Sequence, residues 1–320
     1  MNREMEEKLK DVCKRVVKEV DALIAYKRKK TEPREVLTVI RSEDEVDSIS
    51  LSPLSVNNPA KLLMELLKTE KKVAVVAKGC DAKAIRQLII EGKIDRDRVY
   101  IIGVSCPGVV DYRKFIKKID DLSDVERVEL IDDKIVVNGK DEIPFSEVIF
   151  ENCLYCSNPT PVIYDELIGE PREGRVDFSD IDEFERMDRE KRWEYWAKEF
   201  ERCIRCHACR NSCPLCYCTE CIVDPTNLAI SPMTPAEEKA TYPKILGKTI
   251  SISDNVLYHL VRVLHHAGRC AGCGECERAC PMGIPLRKLE RKLEKVVIEE
   301  FGYDVTKEEI PFLSRLEVMR

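Results

Sequence analysis

Two cysteine-rich segments of the sequence share one spacing. In each, four cysteines follow the pattern C-x2-C-x2-C-x3-C and a proline comes next. The first segment contains Cys203, Cys206, Cys209 and Cys213, and the second contains Cys270, Cys273, Cys276 and Cys280. Each cysteine of the second copy lies 67 positions after its counterpart (203 to 270, for example), which indicates an internal duplication. This run is typical of ferredoxins that hold two [4Fe–4S] clusters.

The spacing also predicts which thiolates share a cluster. Three cysteines at two-residue gaps can wrap one corner of a cubane, whereas the fourth begins a helix that leads away and reaches the neighbouring cluster. We therefore expect one cluster on Cys203, Cys206, Cys209 and Cys280, and the other on Cys270, Cys273, Cys276 and Cys213. The alternative is structural zinc, but zinc sites use cysteine pairs separated by a longer spacer.

Three further cysteines, Cys216, Cys218 and Cys221, follow the first copy closely. They have two interpretations, which the sequence leaves open. They could ligate a fourth cluster whose last ligand lies elsewhere, or they could pack around the two clusters or face a partner. The four histidines, His207, His259, His265 and His266, are interpreted as surface or packing residues rather than ligands.

Composition limits the class of protein. The chain has 320 residues, a net charge of −6 and only one glutamine, which disfavours a nucleic-acid surface and resembles proteins of hyperthermophiles. No apolar run approaches the roughly 20 residues of a membrane-spanning helix, and the charged start lacks a signal-peptide core. We therefore expect a cytoplasmic protein. Sixteen cysteines in a reducing compartment favour metal ligation over disulfides.

The first half of the sequence predicts an α/β domain with a mainly parallel sheet. Residues 4–27 have the periodicity of an amphipathic helix, and "KVAVVAKGCD", "AKAIRQLIIEG" and "RVYIIGVSCPG" read as strand, helix and strand. "EVIFENC" is predicted as a further strand. Four cysteines follow these predicted strands, and the ends of parallel strands meet at one edge. We therefore expect a third [4Fe–4S] site; the alternative is four ordinary buried cysteines. These residues are Cys80, Cys106, Cys153 and Cys156.

The predicted organisation has four parts. Residues 1–165 form the α/β cluster-binding domain and residues 166–195 a linker with a helix. Residues 196–290 form a mostly helical domain that contains the ferredoxin-like module with two clusters. Residues 291–320 form a helix and a tail that could dock on a partner.

The segments "AKGCD", "GVSCPG" and "CLYC" resemble the cysteine motifs of the coenzyme F420 hydrogenase/dehydrogenase β-subunit family. The resemblance implies that Cys80, Cys106, Cys153 and Cys156 ligate one [4Fe–4S] cluster. The C-terminal cysteine segments are similar to dicluster ferredoxin domains found beside formate dehydrogenase and heterodisulfide-reductase-like subunits. Flavin-binding members of the family carry glycine-rich segments that this sequence lacks, so FAD is an alternative cofactor rather than an expected one.

These features predict an electron-transfer subunit of a larger cytoplasmic oxidoreductase. Iron–sulfur clusters carry single electrons, and we find no motif for substrate chemistry. The expected partners are redox subunits of the formate dehydrogenase, hydrogenase or heterodisulfide reductase type. The alternative is a flavin-containing F420 or NAD(P)H oxidoreductase with an attached ferredoxin domain, and flavin content separates the two. A non-redox scaffold with structural metal is a third class.

Overall fold

The computed structural model describes residues 1–29, 33–219 and 251–318, together with the single positions 221, 223 and 235. The chain divides into two compact units, an α/β unit and a helical unit. The first comprises Met1–Asp177 together with the short segments Ala271–Cys273 and Val305–Pro311. The second comprises Phe178–Cys270, Gly274–Asp304 and Phe312–Arg320.

A five-stranded mixed sheet forms the centre of the first unit. The strands of the unit are β1 Ala22–Arg28, β2 Glu35–Ile40, β3 Val73–Ala77, β4 Val99–Val104, β5 Val128–Ile131, β6 Lys134–Val137, β7 Asp141–Pro144 and β8 Glu166–Ile168. The large sheet has the order β2-β1-β3-β4-β8, and β5, β6 and β7 form a separate antiparallel sheet. In the large sheet β2 pairs antiparallel with β1, and the other three pairs are parallel. The predicted α/β class is confirmed, and the sheet is mixed.

Seven helices accompany these strands. They are α1 Arg3–Val16, α2 Glu43–Val46, α3 Ala60–Leu66, α4 Gly79–Ile90, α5 Tyr112–Phe115, α6 Phe145–Val148 and α7 Glu151–Leu154. Every residue of β3 is buried, as expected for a strand covered on both faces. Helix α1 packs its apolar stripe on the same core, and Cys13 in that stripe is 0% exposed.

Two predictions of local structure in this unit were wrong. The helix predicted for residues 4–27 ends at Val16, and the chain then forms β1, whose first five residues are all buried. A short run of buried apolar residues fits either a helix or a strand, and pairing with β2 and β3 decides for the strand. The strand predicted for "EVIFENC" forms the short helices α6 and α7, and only an isolated bridge between Ile149 and Val110 remains of it.

The described part of the second unit is helical. Its helices are α8 Ser179–Glu185, α9 Arg189–Glu201, α10 Ala208–Ser212, α11 Ile252–His265, α12 Glu275–Ala279, α13 Leu286–Phe301 and α14 Phe312–Val318. Asp188 caps α9 by accepting a hydrogen bond from the Lys191 amide at 2.8 Å. Buried ion pairing between Arg291 and Asp180, at 2.5 Å, joins α13 to α8.

The duplicated cysteine motif folds twice into the same local structure. Helices α10 and α12 are five residues each and lie 67 positions apart (208 to 275). The two positions that wrap the chain before each helix are left-handed in both copies: Arg205 (φ 46°) and His207 (φ 59°) in the first, Gly272 (φ 73°) and Gly274 (φ 70°) in the second. Glycine adopts this conformation without steric cost, whereas arginine and histidine do not. The motif therefore imposes its backbone even where the residue disfavours it.

Among the described residues, no helix is both long and apolar enough to cross a membrane.

Candidate metal centres

The first unit positions its four cysteines with loops at the ends of two parallel strands. Cys80 lies in the first turn of α4, just after β3, and Cys106 follows β4. Cys153 belongs to α7 and Cys156 follows that helix. The loop after Cys156 is held against the two strand ends, because the Cys106 amide donates to the Pro159 carbonyl at 2.9 Å. The elements therefore bring four sequence-distant thiols to one edge of the sheet.

A glycine fixes the close approach of this loop. A β-carbon placed on Gly79 would lie 1.6 Å from the carbonyl oxygen of Asn158. Any other residue at position 79 would therefore push the loop after Cys156 away from the beginning of α4. Glycine directly before Cys80 is what allows Cys80 and Cys156 to share one edge.

The four thiols influence one another's ionisation. Burial raises the pKa of Cys106 to about 12, and the nearby thiols of Cys153 and Cys156 contribute to the increase. Burial also raises the pKa of Cys80, with additional contributions from Asp81 and Cys156. Thiolates packed this closely are unfavourable unless a cation compensates for them, and metal ligation requires the thiolate form.

A buried ionic network lies next to Cys80. The Lys78 ammonium group is 2.8 Å from the Asp81 carboxylate, and the two side chains are 2% and 0% exposed. Lys78 also donates to the Tyr26 hydroxyl group, and the Asp81 carboxylate accepts a bond from the Lys78 amide at 3.0 Å. Burial works against the charge of Lys78, but Asp81 and its other neighbours raise the pKa of Lys78 well above the usual value. This network fixes the beginning of α4, and with it the position of Cys80.

In the second unit, one cavity is lined by four of the predicted ligands. The cavity is small, with a volume of about 20 Å³, and the cysteines on its wall are Cys203, Cys206, Cys209 and Cys280. Burial raises the pKa of the Cys203 thiol, the Arg205 amide lowers it, and Cys209, Cys280 and Cys206 raise it again. Cys280 comes from the second copy of the motif, whereas the other three belong to the first. The cavity therefore groups three cysteines of the first copy with one cysteine of the second.

Two side chains of α11 contact the sulfur atoms of this group. The Nε2 atom of His259 lies 3.4 Å from the Cys203 Sγ atom, and the Tyr258 hydroxyl group lies 3.5 Å from the Cys209 Sγ atom. The His259 ring stacks on Phe200 with centroids 4.8 Å apart. Burial lowers the pKa of His259 to about 3, so that the ring is neutral at physiological pH. The sulfurs of this group are thus contacted by uncharged polar groups.

Only three members of the other predicted ligand set belong to the second unit. Cys213, Cys270 and Cys276 lie in the second unit, whereas Cys273 belongs to the segment grouped with the first. The Cys270 Sγ atom accepts a hydrogen bond from the guanidinium group of Arg287 at 3.6 Å. Arg287 is 6% exposed and also binds Glu294 at 2.7 Å.

The three additional cysteines, Cys216, Cys218 and Cys221, have different surroundings. The Sγ atom of Cys216 lies 3.2 Å from the His266 Nε2 atom, and Cys213, Cys216 and His266 could together hold a metal ion. Cys221 packs beside the apolar cluster that contains Cys203, Cys209 and Cys280, and Cys218 is exposed.

His266 is a residue that sequence analysis assigned to packing and that contacts a candidate ligand. Its Nδ1 atom lies 2.8 Å from a carboxylate oxygen of Glu290, and both residues are buried. Although burial opposes the imidazolium form, Glu290 and Cys216 raise the pKa of His266 to about 9. The pKa of Cys216 is lowered to about 2, mainly by the hydrogen bond from Cys213, with His266 and Arg262 contributing. The pattern of a histidine before a cysteine motif was visible, but its buried glutamate partner was not.

The residues present fit iron–sulfur clusters. The cavity wall supplies four thiols and no competing carboxylate, and soft thiolate donors of this kind suit iron–sulfur clusters. The Arg205 amide donates to the Cys203 sulfur, and His259 and Tyr258 lie within hydrogen-bond distance of the Cys203 and Cys209 sulfurs, as outer contacts of such clusters do.

Two regions of the chain match known protein families. The family described as the C terminus of the β subunit of coenzyme F420 hydrogenase/dehydrogenase matches residues 70–219, and the family described as "4Fe-4S dicluster domain" matches residues 199–284. The chain is 26% identical to the F420-dependent formate dehydrogenase subunit beta of Methanocaldococcus jannaschii, over 89% of this chain and 86% of that protein. It is 23% identical to the F420-dependent formate dehydrogenase 1 subunit beta of Methanococcus maripaludis, over 73% of each chain.

A solved structure, the F420-reducing [NiFe] hydrogenase complex from Methanosarcina barkeri, matches 49% of this chain and 62% of its own chain at 18% identity and a TM-score of 0.37. At that TM-score the likeness supports no structural argument. The two sequence relatives and the two matched regions instead agree with the motifs. Residues 70–219 thus match the C-terminal part of the coenzyme F420 hydrogenase/dehydrogenase β-subunit family, and residues 199–284 match a 4Fe-4S dicluster domain.

Proposed function

We propose that this chain relays single electrons through three [4Fe–4S] clusters. The chain is an iron–sulfur electron-transfer subunit of an oxidoreductase complex. The observation that carries the proposal is the crossed group of thiols around one cavity, in which Cys280 joins Cys203, Cys206 and Cys209. Clusters supply one-electron chemistry when bound, and the protein sets their potentials through contacts to sulfur and through burial.

The ligand sets follow from this grouping. One cluster is held by Cys203, Cys206, Cys209 and Cys280, and its partner by Cys270, Cys273, Cys276 and Cys213. The third is held in the α/β unit by Cys80, Cys106, Cys153 and Cys156. Their support is the duplicated backbone of the two motifs and, in the first unit, the close contact of the loop after Cys156 with Gly79 and Cys106.

The remaining thiols have a different role in this proposal. Cys216 and Cys221 have different surroundings. Cys216 lies beside Cys213, whereas Cys221 packs against the apolar cluster that contains Cys203, Cys209 and Cys280. This separation favours packing around the two clusters over ligation of a fourth cluster by Cys216, Cys218 and Cys221. A fourth cluster would require these thiols to converge.

The partners are proposed from the relatives. The relatives named above are β subunits of F420-dependent formate dehydrogenases. We infer that this chain accepts electrons from a subunit that oxidises formate, hydrogen, reduced F420 or a similar donor, and delivers them to another redox subunit, in the cytoplasm of a thermophilic organism. Residues 1–165 form the cluster-binding domain, residues 166–195 the linker, residues 196–290 the ferredoxin domain, and the helix and tail of residues 291–320 dock on a partner.

An iron and sulfide count on anaerobically purified protein tests the proposal. Electron paramagnetic resonance (EPR) after dithionite reduction should show separate cluster signals, and Cys280→Ser should remove the same signal as Cys203→Ser. Cys213→Ser should instead remove the signal that Cys270→Ser removes. Cys13→Ser is the matched control, because Cys13 is buried in the first core and belongs to none of the three ligand sets, and it should retain all iron.

Three results would contradict the proposal. Trace iron in the unmodified protein would exclude clusters, and loss of different signals in Cys203→Ser and Cys280→Ser would exclude crossing. Flavin released on denaturation would favour the alternative, a flavin-containing F420 or NAD(P)H oxidoreductase, because hydride-to-electron conversion needs a two-electron carrier. A protein with iron but without flavin fits the relay.

A further inference from the structure

Arg262 is a buried arginine at the centre of the dicluster domain. It lies on α11 and is 4% exposed. Its guanidinium group donates to the main-chain carbonyl of Cys209 at 3.2 Å and approaches the Cys216 Sγ atom at 3.8 Å. Cys209 belongs to the first proposed ligand set. The Sγ atom of Cys216 lies within 4.8 Å of the Sγ atom of Cys213, which belongs to the second set. The guanidinium group therefore lies near residues of both proposed ligand sets.

No carboxylate neutralises this charge among the described residues. Arg287 has Glu294 as an ion-pair partner, and His266 has Glu290. Arg262 has no such ion pair in the described parts of the chain, and its Nε atom has no hydrogen-bond partner there. The groups that face it are cysteine sulfurs, one carbonyl and the Tyr258 ring, whose centroid is 5.8 Å away. A buried charge costs several kcal/mol unless an opposite charge compensates for it.

We propose, on the basis of the function proposed above, that Arg262 is a positioning residue whose permanent charge stabilises the negative charge of the two thiolate-bound clusters. A cluster with four thiolate ligands carries net negative charge, and reduction adds one further negative charge. A permanent cation between the two sites therefore stabilises the reduced state of both more than the oxidised state. Arg262 holds both reduction potentials at more positive values and makes the second electron easier to accept.

Arginine suits this position for a specific reason. The guanidinium group stays charged under all physiological conditions, so its effect does not depend on a protonation equilibrium. His259, one turn earlier on the same helix, contacts a sulfur but does not carry the permanent charge of a guanidinium group. The two residues thus separate the effect of a hydrogen bond to sulfur from the effect of a buried charge.

Redox titrations monitored by EPR test this inference on the full-length, cluster-loaded chain. Arg262→Met removes the charge and keeps an apolar stem of similar length, Arg262→Gln keeps a hydrogen-bonding head, and Arg262→Lys keeps the charge. Both neutral variants should lower the midpoint potentials of both dicluster signals. The expected effect is at least a tenfold loss in the equilibrium constant for reduction, equivalent to about 59 mV for a one-electron couple. The signal of the α/β-unit cluster should remain unchanged.

Arg202→Gln is the matched control. Arg202 directly precedes Cys203, but its side chain is 42% exposed and paired with Glu199, so that water screens its charge. Its removal should leave the potentials within experimental error of the unmodified protein.

Each outcome either supports or overturns the proposed role of Arg262. Full iron loading with unchanged potentials in Arg262→Met would overturn it and leave Arg262 with a packing role. If the neutral variants do not load iron, loading of Arg262→Lys supports the requirement for charge, whereas failure of Arg262→Lys overturns it. Absence of iron from the unmodified protein would instead refute the proposed function itself, so that the two failures are distinguishable.

Discussion

Replacing Lys78 by methionine should destabilise the edge of the sheet that carries Cys80. Lys78 and Asp81 are 2% and 0% exposed, and their charged atoms are 2.8 Å apart. Lys78→Met removes this cation and leaves the buried Asp81 carboxylate with neutral donors that include the backbone amide of residue 78 and the Tyr26 hydroxyl group. Removing one member of a buried ion pair costs about 3–5 kcal/mol. We expect the β3–α4 segment to lose that much protection.

Hydrogen exchange under native conditions measures this loss without global unfolding. The opening free energy of peptides covering residues 73–90 should fall by about 3–5 kcal/mol in Lys78→Met. The double variant Lys78→Met/Asp81→Leu removes both charges and should recover most of the protection. Lys68→Met is the matched control, because Lys68 is 62% exposed and its ion-pair partner Glu65 is 50% exposed. This variant should lower the opening free energy by less than about 1 kcal/mol. Equal losses in the single and double variants would refute the assignment of the effect to an uncompensated charge.

Three further outcomes follow from the same structure. Cys13→Ala should retain all iron, because burial raises the pKa of Cys13 to about 12 and keeps it a thiol. It should lower the free energy of unfolding by about 1 kcal/mol, because the side chain is fully buried; iron analysis and thermal unfolding check both expectations. Gly274→Val should lower stability by at least about 1–2 kcal/mol in thermal unfolding, because position 274 has φ 70°, and an unchanged transition would contradict the left-handed requirement. Hydrogen bonds from Lys292 and Lys295 lower the pKa of Glu185. These interactions therefore stabilise the folded state above pH 4.5, and this stabilisation is lost as the pH falls. The urea midpoint reported by Trp193 and Trp196, the only tryptophans, should depend less on acid in Glu185→Gln than in the parent.

The candidate ligands were accessible from the sequence because their positions are set locally. The four-cysteine run wraps its own loop, and the 67-residue offset repeats the loop with the same helix and the same two left-handed positions. A first-unit site could be predicted for a related reason. Cys80 and Cys106 follow parallel strands, and the direction of the strands alone brings both to one edge. In these cases local geometry or strand direction is sufficient.

Features that depend on distant packing could not be predicted. The apolar residues after Val16 fit a helix as well as a strand. The strand forms because the segment pairs with β2 and β3, which is a tertiary effect. The segment before Cys153 became two short helices, although its continuous apolar run of residues 148–150 also fits a short buried strand. The partners of the histidines were also hidden, since Glu290 lies 24 residues after His266 and nothing in the sequence pairs them.

The two classes of polar contact on α11 explain why one helix affects two clusters. His259 and Arg262 are three residues apart and therefore lie on the same face of the helix. The first contacts the sulfur of Cys203, and the second brings a permanent charge to the Cys209 carbonyl and the Cys216 sulfur. Asn255, on the same face, donates to the carbonyls of Phe200 and Cys203 at 2.8 and 2.9 Å and fixes the helix against the first motif. A rotation of α11 would therefore change the position, the hydrogen bonding and the charge around the proposed clusters together, so the orientation of this helix should set their potentials.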